Sequence, residues 1–90
     1  MATTVLDDLG RVTLTSLGYE QGCKFEIEIQ GENIALIQVE EVCYKLVREL
    51  DALGRLVLPI ELRNQAGFKS GDMLELKKNG VKIMLVKIKT

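Results

Sequence analysis

The segment Glu49–Pro59, ELDALGRLVLP, sets the architecture, because Val5–Thr15, VLDDLGRVTLT, has almost the same sequence. A shift of 44 residues places the LDxLGR motif of one segment on that of the other. A shift of 49 residues then aligns later positions: Gly18 with Gly67, Gly22 with Gly71, Gly31 with Gly80, Ile34 with Ile83 and Leu36 with Leu85. Self-similarity at a fixed spacing is the signature of an internal repeat. We therefore interpret the chain as two copies of one unit, residues 1–39 and residues 47–90.

The second copy contains an insert, PIELRNQA, which the first copy lacks. Its Pro59 suits the first position of a helix, and Gly67 suits the left-handed residue that closes one. We predict a short helix over about residues 59–66, with Arg63 pointing more toward solvent. Two apolar residues of the insert lie four positions apart and can pack inward from one face: Leu62 and Ala66. The first copy has only TSL, Thr15–Leu17, which is enough for a single turn.

The remainder of each copy has the pattern of β-strands. RVTL and RLVL are β-branched or aliphatic runs that follow a glycine turn. The segments 24–39 and 72–88 alternate apolar and polar residues around Gln30-Gly31 and Asn79-Gly80, which are hairpin signals. A unit of about forty residues can hardly bury a core alone. We therefore predict one mostly β domain over residues 1–90, in which both copies share a core.

Composition excludes several classes of protein. Hydrophobic residues make up 47% and charged residues 28% of the chain, as in soluble globular domains. The sequence shows neither an apolar run of the ~18 residues that cross a membrane nor a signal-peptide pattern, so we expect a cytoplasmic protein with no membrane partner. Cys23 and Cys43 form no CxxC pair and are expected to be reduced thiols. Without histidine or a phosphate-binding glycine loop, we expect no enzyme, catalytic residue, cofactor, metal or small-molecule substrate.

The net charge of −1 hides a difference between the two halves. Residues 1–39 carry two basic against six acidic residues, whereas residues 40–90 carry ten basic against seven acidic residues. Such a difference is typical of a protein with a basic side that faces an acidic partner. The second half is therefore the better candidate for such a surface.

The segment Val47–Leu85 contains the pattern LGR-V-LP-ELR---G---GD-LE and resembles the AbrB family of bacterial transition-state regulators. The first copy resembles the same domain in a degenerate form. The resemblance implies a swapped-hairpin, or looped-hinge-helix, barrel in which two units interleave their strands, here as a pseudo-dimer within one chain. In the Gly71-Asp72 pair we expect the carboxylate to accept bonds from nearby backbone N–H groups, a structural role. The first copy has Cys23 instead of that aspartate.

The resemblance also implies a DNA-binding transcriptional regulator whose partner is double-stranded DNA. The arginines that it assigns to DNA are Arg48, Arg55 and Arg63, with Arg11 as the counterpart of Arg55 in the first copy. Arginine presents a planar fork of donors that suits phosphate oxygens and guanine edges. Three arginines in one copy are few, so we expect either a homodimer of pseudo-dimeric chains or pairing of second copies between chains, on a two-fold DNA site.

Other interpretations stay open at this point. The same barrel could be an antitoxin or a protein-interaction module without DNA binding of its own. The first copy could have lost its DNA contacts, in which case a change at Arg11 would barely alter affinity. Arg55 could be a solvated turn residue paired with Asp51, and Arg63 an exposed helix charge. The lysines of the last hairpin could serve solubility, as lysines on edge strands commonly do.

Overall fold

The computed structural model describes residues 2–40 and 46–88, so that Cys43 and Lys89 lie outside the described residues. The predicted class, mostly β with one short helix, is confirmed. The elements are β1 (Ala2–Val5), β2 (Arg11–Thr13), a 3₁₀ turn (Thr15–Leu17), β3 (Lys24–Gln30), β4 (Asn33–Val39), β5 (Val47–Glu49), β6 (Arg55–Val57), α1 (Ile60–Ala66), β7 (Met73–Asn79) and β8 (Lys82–Lys87).

The strands form a curled six-stranded sheet in the order β1-β7-β8-β4-β3-β5 and a separate two-stranded ribbon, β2-β6. Within residues 2–40 and 46–88, neighbouring strands are antiparallel in every pair. The first strand of each half pairs with the hairpin of the other half, since β1 lies on β7 and β5 lies on β3. This is the swapped-hairpin arrangement. The hairpin β7-β8 lies inside the sheet, so the expectation that its lysines occupy an edge is wrong.

The strand register is the same in the two halves. Val5 lies opposite Met73. Their counterparts in the other copies, Glu49 and Lys24, also lie opposite each other. In the ribbon, Val12 lies opposite its own counterpart Leu56. Ala35 likewise lies opposite Met84 where β4 meets β8. This register is the one expected for two units around a pseudo-two-fold axis, and it supports the interpretation of the chain as a repeat.

The core lies between the six-stranded sheet and the ribbon, and it contains residues of both halves. Its largest side chains with no more than 2% exposure are Leu6, Val12, Leu14, Phe25, Ile34, Leu36, Leu50, Leu56, Leu58, Leu74, Ile83 and Leu85. Fully burying one side chain of this size contributes about 1.5–3 kcal/mol. The common core therefore holds the ribbon against the sheet.

Helix α1 begins one residue later than predicted. Pro59 has an extended ψ of 137°, so it precedes the helix as its capping residue, and Ile60 is the first helical residue. Gly67 ends the helix in a left-handed conformation, with φ of 73°, and its N–H donates to the last turn. The apolar pair of the insert packs on the core as predicted: Leu62 and Ala66. Among the described residues, no helix is long and apolar enough to cross a membrane.

Candidate functional site

The outward face of the ribbon carries two of the predicted arginines. Val12 and Leu56 point into the core with 0% exposure, so their neighbours on each strand point away from it. Arg11 lies opposite Val57, and Arg55 lies opposite Thr13. The two arginines are therefore diagonal neighbours, with Cα atoms about 7–8 Å apart. The structure thus brings the arginines of the two LGR motifs onto one surface.

Each of these arginines is held by an aspartate four residues earlier. Arg11 Nε donates to Asp7 Oδ2 at 2.7 Å, and Asp7 Oδ1 accepts the backbone N–H groups of Leu9 and Arg11 at 3.0 and 2.8 Å. The second motif repeats this pattern, since Arg55 Nε donates to Asp51 Oδ2 at 2.8 Å. The ion pair considered as the simplest role of Arg55 is therefore present. The terminal Nη groups of Arg55 have no protein partner within residues 2–40 and 46–88.

Arg63 lies against the first LGR turn, across the two halves of the chain. Its Nε donates to the carbonyl of Leu58 at 2.9 Å, and the side chain is half-buried. Its guanidinium fills the space in front of Gly10, where an added Cβ would lie 2.7 Å from Nη2. The expectation that Arg63 points toward solvent is therefore wrong, because a carbonyl before the helix and a glycine without a side chain draw it inward.

Arg48 lies on β5, next to the ribbon. Its side chain is exposed, and its Nη1 donates to the carbonyl of Val47 at 3.3 Å. In the first half the equivalent residue is Thr4, whose Oγ1 accepts the N–H of Thr13 at 2.9 Å. The same offset makes Val57 the counterpart of Thr13, and β5 packs beside β6 as β1 packs beside β2. The structure therefore places Arg11 and Arg55 on the ribbon, Arg63 at the turn that precedes Arg11, and Arg48 on the neighbouring strand β5.

Exposed apolar side chains surround these arginines, and sequence reasoning missed them. Leu9 and Leu53 occupy the tips of the two LGR turns, and they are 68% and 63% exposed. Val57 on the ribbon and Ile60 at the start of α1 are 45% and 60% exposed. The second leucine of the LDxLGR motif, present in both halves, was the available signal, because turns ordinarily lie on the surface. This surface therefore presents both arginine guanidinium groups and exposed apolar side chains.

The predicted role of the Gly71-Asp72 pair is confirmed. Asp72 Oδ2 accepts the N–H of Lys69 at 2.8 Å and lies 3.2 Å from Lys87 Nζ. The pKa of Asp72 is lowered, first by the hydrogen bond from the N–H of Lys69 and then by the contact with Lys87. Burial acts in the opposite direction but does not outweigh them. Cys23, at the equivalent position of the first half, is a half-buried free thiol packed against the core. The Asp72 carboxylate stabilises the turn after α1, and we assign it no part in the ribbon surface.

The lysines of the last hairpin make local contacts. Lys78 Nζ lies 4.9 Å from the ring centre of Tyr19, and Lys82 Nζ donates to Gln30 Oε1 at 2.8 Å. Lys87 forms the contact with Asp72. Most of these amines therefore have structural partners, which is consistent with assigning the lysines to the fold and to solubility.

We predict that the turn aspartates stabilise the protein at neutral pH and stop doing so in acid. The pKa of Asp7 lies below its ordinary 3.8, chiefly because its carboxylate accepts the backbone N–H of Arg11. Desolvation opposes this shift, and the bond from the Arg11 side chain adds to it. The pKa of Asp51 is lowered by the corresponding contacts of Arg55. Because these pKa values are lower in the folded state, the stabilisation is complete above 3.8 and disappears as the pH falls through the depressed values.

Urea unfolding at a series of pH values, from neutral to about pH 2, measures this dependence. Asp51→Asn should flatten the acid limb of the curve of unfolding free energy against pH. Glu32→Gln removes the same charge from an exposed position in the turn between β3 and β4 and is the control. An acid limb that is unchanged in Asp51→Asn would contradict the prediction.

A glycine pair tests the position of Arg63. Gly10 and Gly18 both have positive φ, +77° and +85°, so an alanine costs about 1–2 kcal/mol of backbone strain at either position. Nothing lies within 4 Å of a Cβ at Gly18, whereas a Cβ at Gly10 meets the Arg63 guanidinium. Gly10→Ala should therefore lower the free energy of unfolding more than Gly18→Ala does, by about the 0.5–1.5 kcal/mol of the Arg63–Leu58 hydrogen bond that is broken when the guanidinium moves aside. Equal losses in urea unfolding would show that Arg63 does not occupy this place.

The fold and the surface together define a class: a swapped-hairpin β domain with arginines on a short ribbon. Residues 47–90 match the family model described as "Antidote-toxin recognition MazE, bacterial antitoxin". Two relatives come from Bacillus subtilis (strain 168). The "Transition state regulatory protein AbrB" is 48% identical over 44 residues, 49% of this chain and 46% of the relative. The "Putative transition state regulator Abh" is 46% identical over 44 residues, 49% of this chain and 48% of the relative.

The second half of the chain is therefore similar in sequence to proteins of the AbrB and MazE type, which confirms the resemblance seen in its motif. The chain spans about half the length of the curated relatives that it matches. No solved structure matches the chain. The matching family and relatives are antitoxin or regulatory proteins by name, in agreement with the prediction that the chain is not an enzyme.

Proposed function

We propose that the chain is a DNA-binding transcriptional regulator of the AbrB type, which binds duplex DNA through the outward face of the β2-β6 ribbon. The observation that carries the proposal is the pair Arg11 and Arg55, which lie diagonally on one face with each Nε fixed by its own aspartate. The names of the two relatives, both transition-state regulators, support it. A cytoplasmic location follows from this function.

The aspartates fix the orientation of the arginine side chains but neutralise part of their charge. Each ion pair neutralises one charge, so the ribbon attracts DNA less strongly than free arginines would. The fixed Nε, however, leaves two Nη groups in a defined direction, and this is the pair that suits two phosphate oxygens or the O6 and N7 of guanine. A side chain that is already ordered loses less conformational entropy when it binds. We therefore assign Arg11 and Arg55 to direct DNA contacts.

Matching ion pairs favour equal roles for these two arginines. The Asp7–Arg11 and Asp51–Arg55 pairs have Nε to Oδ2 distances of 2.7 and 2.8 Å, and both are partly exposed. Arg63 lies next to the turn that precedes Arg11, so the first half also lies beside the helix of the second. These contacts weigh against the hypothesis that a change at Arg11 barely alters DNA affinity. We propose that Arg11 and Arg55 contribute alike, with Arg48 and Arg63 beside them.

A salt titration tests the function. Fluorescence anisotropy of a labelled random duplex should show binding at low ionic strength, with the logarithm of the binding constant falling linearly against the logarithm of salt concentration by about 0.9 per phosphate contact. Light scattering of the same complex counts the chains on each duplex and so tests the proposed homodimer. A folded chain that leaves the duplex unbound at low salt would refute the proposal.

The second candidate is an antitoxin or protein-interaction module on the same fold. The description of the matching family favours it, as do the exposed leucines at the two turn tips. In that case Leu9 and Leu53 would contact an apolar surface of a protein, and the ribbon arginines would form its charged rim. A protein that is folded by circular dichroism and indifferent to duplex DNA at low salt would favour this candidate over the first.

A further inference from the structure

We propose that one chain recognises a non-palindromic duplex in a single orientation. The inference rests on the proposed function and concerns the kind of DNA site. A protein with true two-fold symmetry favours operators with the same symmetry. This chain has the strand register of a two-fold arrangement, but its two equivalent surfaces carry different side chains.

Some parts of the ribbon surface are the same on both sides of the pseudo-two-fold axis. Both turns have an aspartate that binds the arginine four residues later, and both have an exposed leucine at the tip. The N–H of Leu58 donates to Gly10, and the N–H of Leu14 donates to Gly54, each at 2.9 Å. The backbone framework therefore offers two matching half-surfaces.

The side chains around the two ends of this framework differ. The arginine-rich end consists of Arg11, Arg48, Val57 and Arg63. The threonine-rich end consists of Arg55, Thr4, Thr13 and Thr15. Thr15 places its Cγ2 at Gly54, in the position that Arg63 takes at Gly10. Thr4 is buried and bonded to Thr13, whereas its counterpart Arg48 is exposed.

The difference has two physical origins. Helix α1 is present in the second half only, and it supplies Arg63 to the turn of the first half; the first half has a 3₁₀ turn there. The edge strands differ as well, since β5 carries Arg48 where β1 carries Thr4. Three arginines thus collect at one end of the ribbon and one arginine remains at the other. This polarity is built into the sequence of one chain and needs no partner.

Unequal ends favour different bases. Arginine pairs best with the O6 and N7 of guanine, whereas a threonine methyl group that is not buried, as at Thr13 and Thr15, suits the methyl group of thymine. Turning the chain around on its site would place the arginine-rich end on the half-site of the threonine-rich end. We expect this reversal to weaken binding by at least about fivefold, since a good bidentate contact to the correct base is lost.

Selection from a random duplex library, followed by sequencing, tests the orientation. The recovered half-site that is contacted by one chain should differ from its own reverse complement. Arg63→Ala should relax base preference on one side of that half-site, and Arg55→Ala should relax it on the other side. Light scattering of the selected complex gives the number of chains on the duplex and thus defines the half-site. Lys77→Ala, which removes one exposed charge from β7, is the matched control and should leave the preference unchanged.

The outcomes separate the two proposals. Failure to bind any duplex refutes the proposed function, and the orientation falls with it. If the half-site contacted by one chain is self-complementary, or if no base is preferred, the proposed single orientation is overturned. The proposed function stands in either case, because the chain still binds DNA. Relaxation of both sides by Arg63→Ala also overturns it, because the arginine would then not belong to one end.

Discussion

Leu56→Ala is expected to lower the free energy of unfolding by about 2–5 kcal/mol. Leu56 has 0% exposure and pairs with Val12 at the centre of the ribbon, where the two halves of the chain meet. Truncation removes buried apolar atoms and leaves a cavity that this short ribbon cannot close without shifting the arginines on its other face. A loss of this size is a large fraction of the 5–15 kcal/mol that stabilises a typical domain.

Urea unfolding followed by circular dichroism measures the change, and the next residue provides the control. Val57 lies on the same strand with 45% exposure and points away from the core. Val57→Ala should therefore cost less than about 1 kcal/mol, in the range of surface substitutions. Similar losses in the two variants would contradict the described packing of the ribbon.

The double variant Arg11→Ala/Arg55→Ala is expected to show the largest loss of DNA affinity. Each arginine that contacts DNA contributes about 1–3 kcal/mol if it reaches a base, and each phosphate contact contributes about one unit to the salt slope. The variant should therefore bind a specific duplex more weakly by about 2–6 kcal/mol if both contact bases, or lower the slope by about two if both contact phosphates. Anisotropy at several salt concentrations distinguishes these modes of contact.

The pair Lys77 and Lys78 provides a control with the same change of net charge. Both lysines lie on β7, away from the ribbon. Lys77→Ala/Lys78→Ala should leave the affinity for a specific duplex nearly unchanged. If this control and the arginine variant lose affinity equally, net charge alone explains the binding. If Arg55→Ala acts and Arg11→Ala does not, the first half only supports the fold.

Much of the secondary structure could be predicted from local signals. Alternation of apolar and polar residues marks β3, β4, β7 and β8, because adjacent side chains of a strand point to opposite faces. The helix was found from the proline before it and the glycine after it, and its start was misplaced by one residue. A proline suits both the capping residue and the first helical residue, so the sequence pattern does not distinguish them.

The candidate site depended on contacts between distant parts of the chain. The position of Arg63 follows from Gly10, which lies in the other half, and no spacing rule connects the two. The resemblance supplied the swapped pairing, whereas strand patterns alone do not specify that β1 joins β7. The lysines of the last hairpin were assigned to an edge for the same reason, since sequence order does not give the order of strands in a sheet.

The exchange of first strands between the halves has a consequence for assembly. Because β1 completes the hairpin of the second half and β5 completes that of the first, each half offers a docking place that a copy from another molecule fits equally well. At high protein concentration, chains should therefore trade halves and form reciprocal dimers with the same strand contacts. Two polypeptides that each contain one half should likewise reassemble into the native structure when mixed.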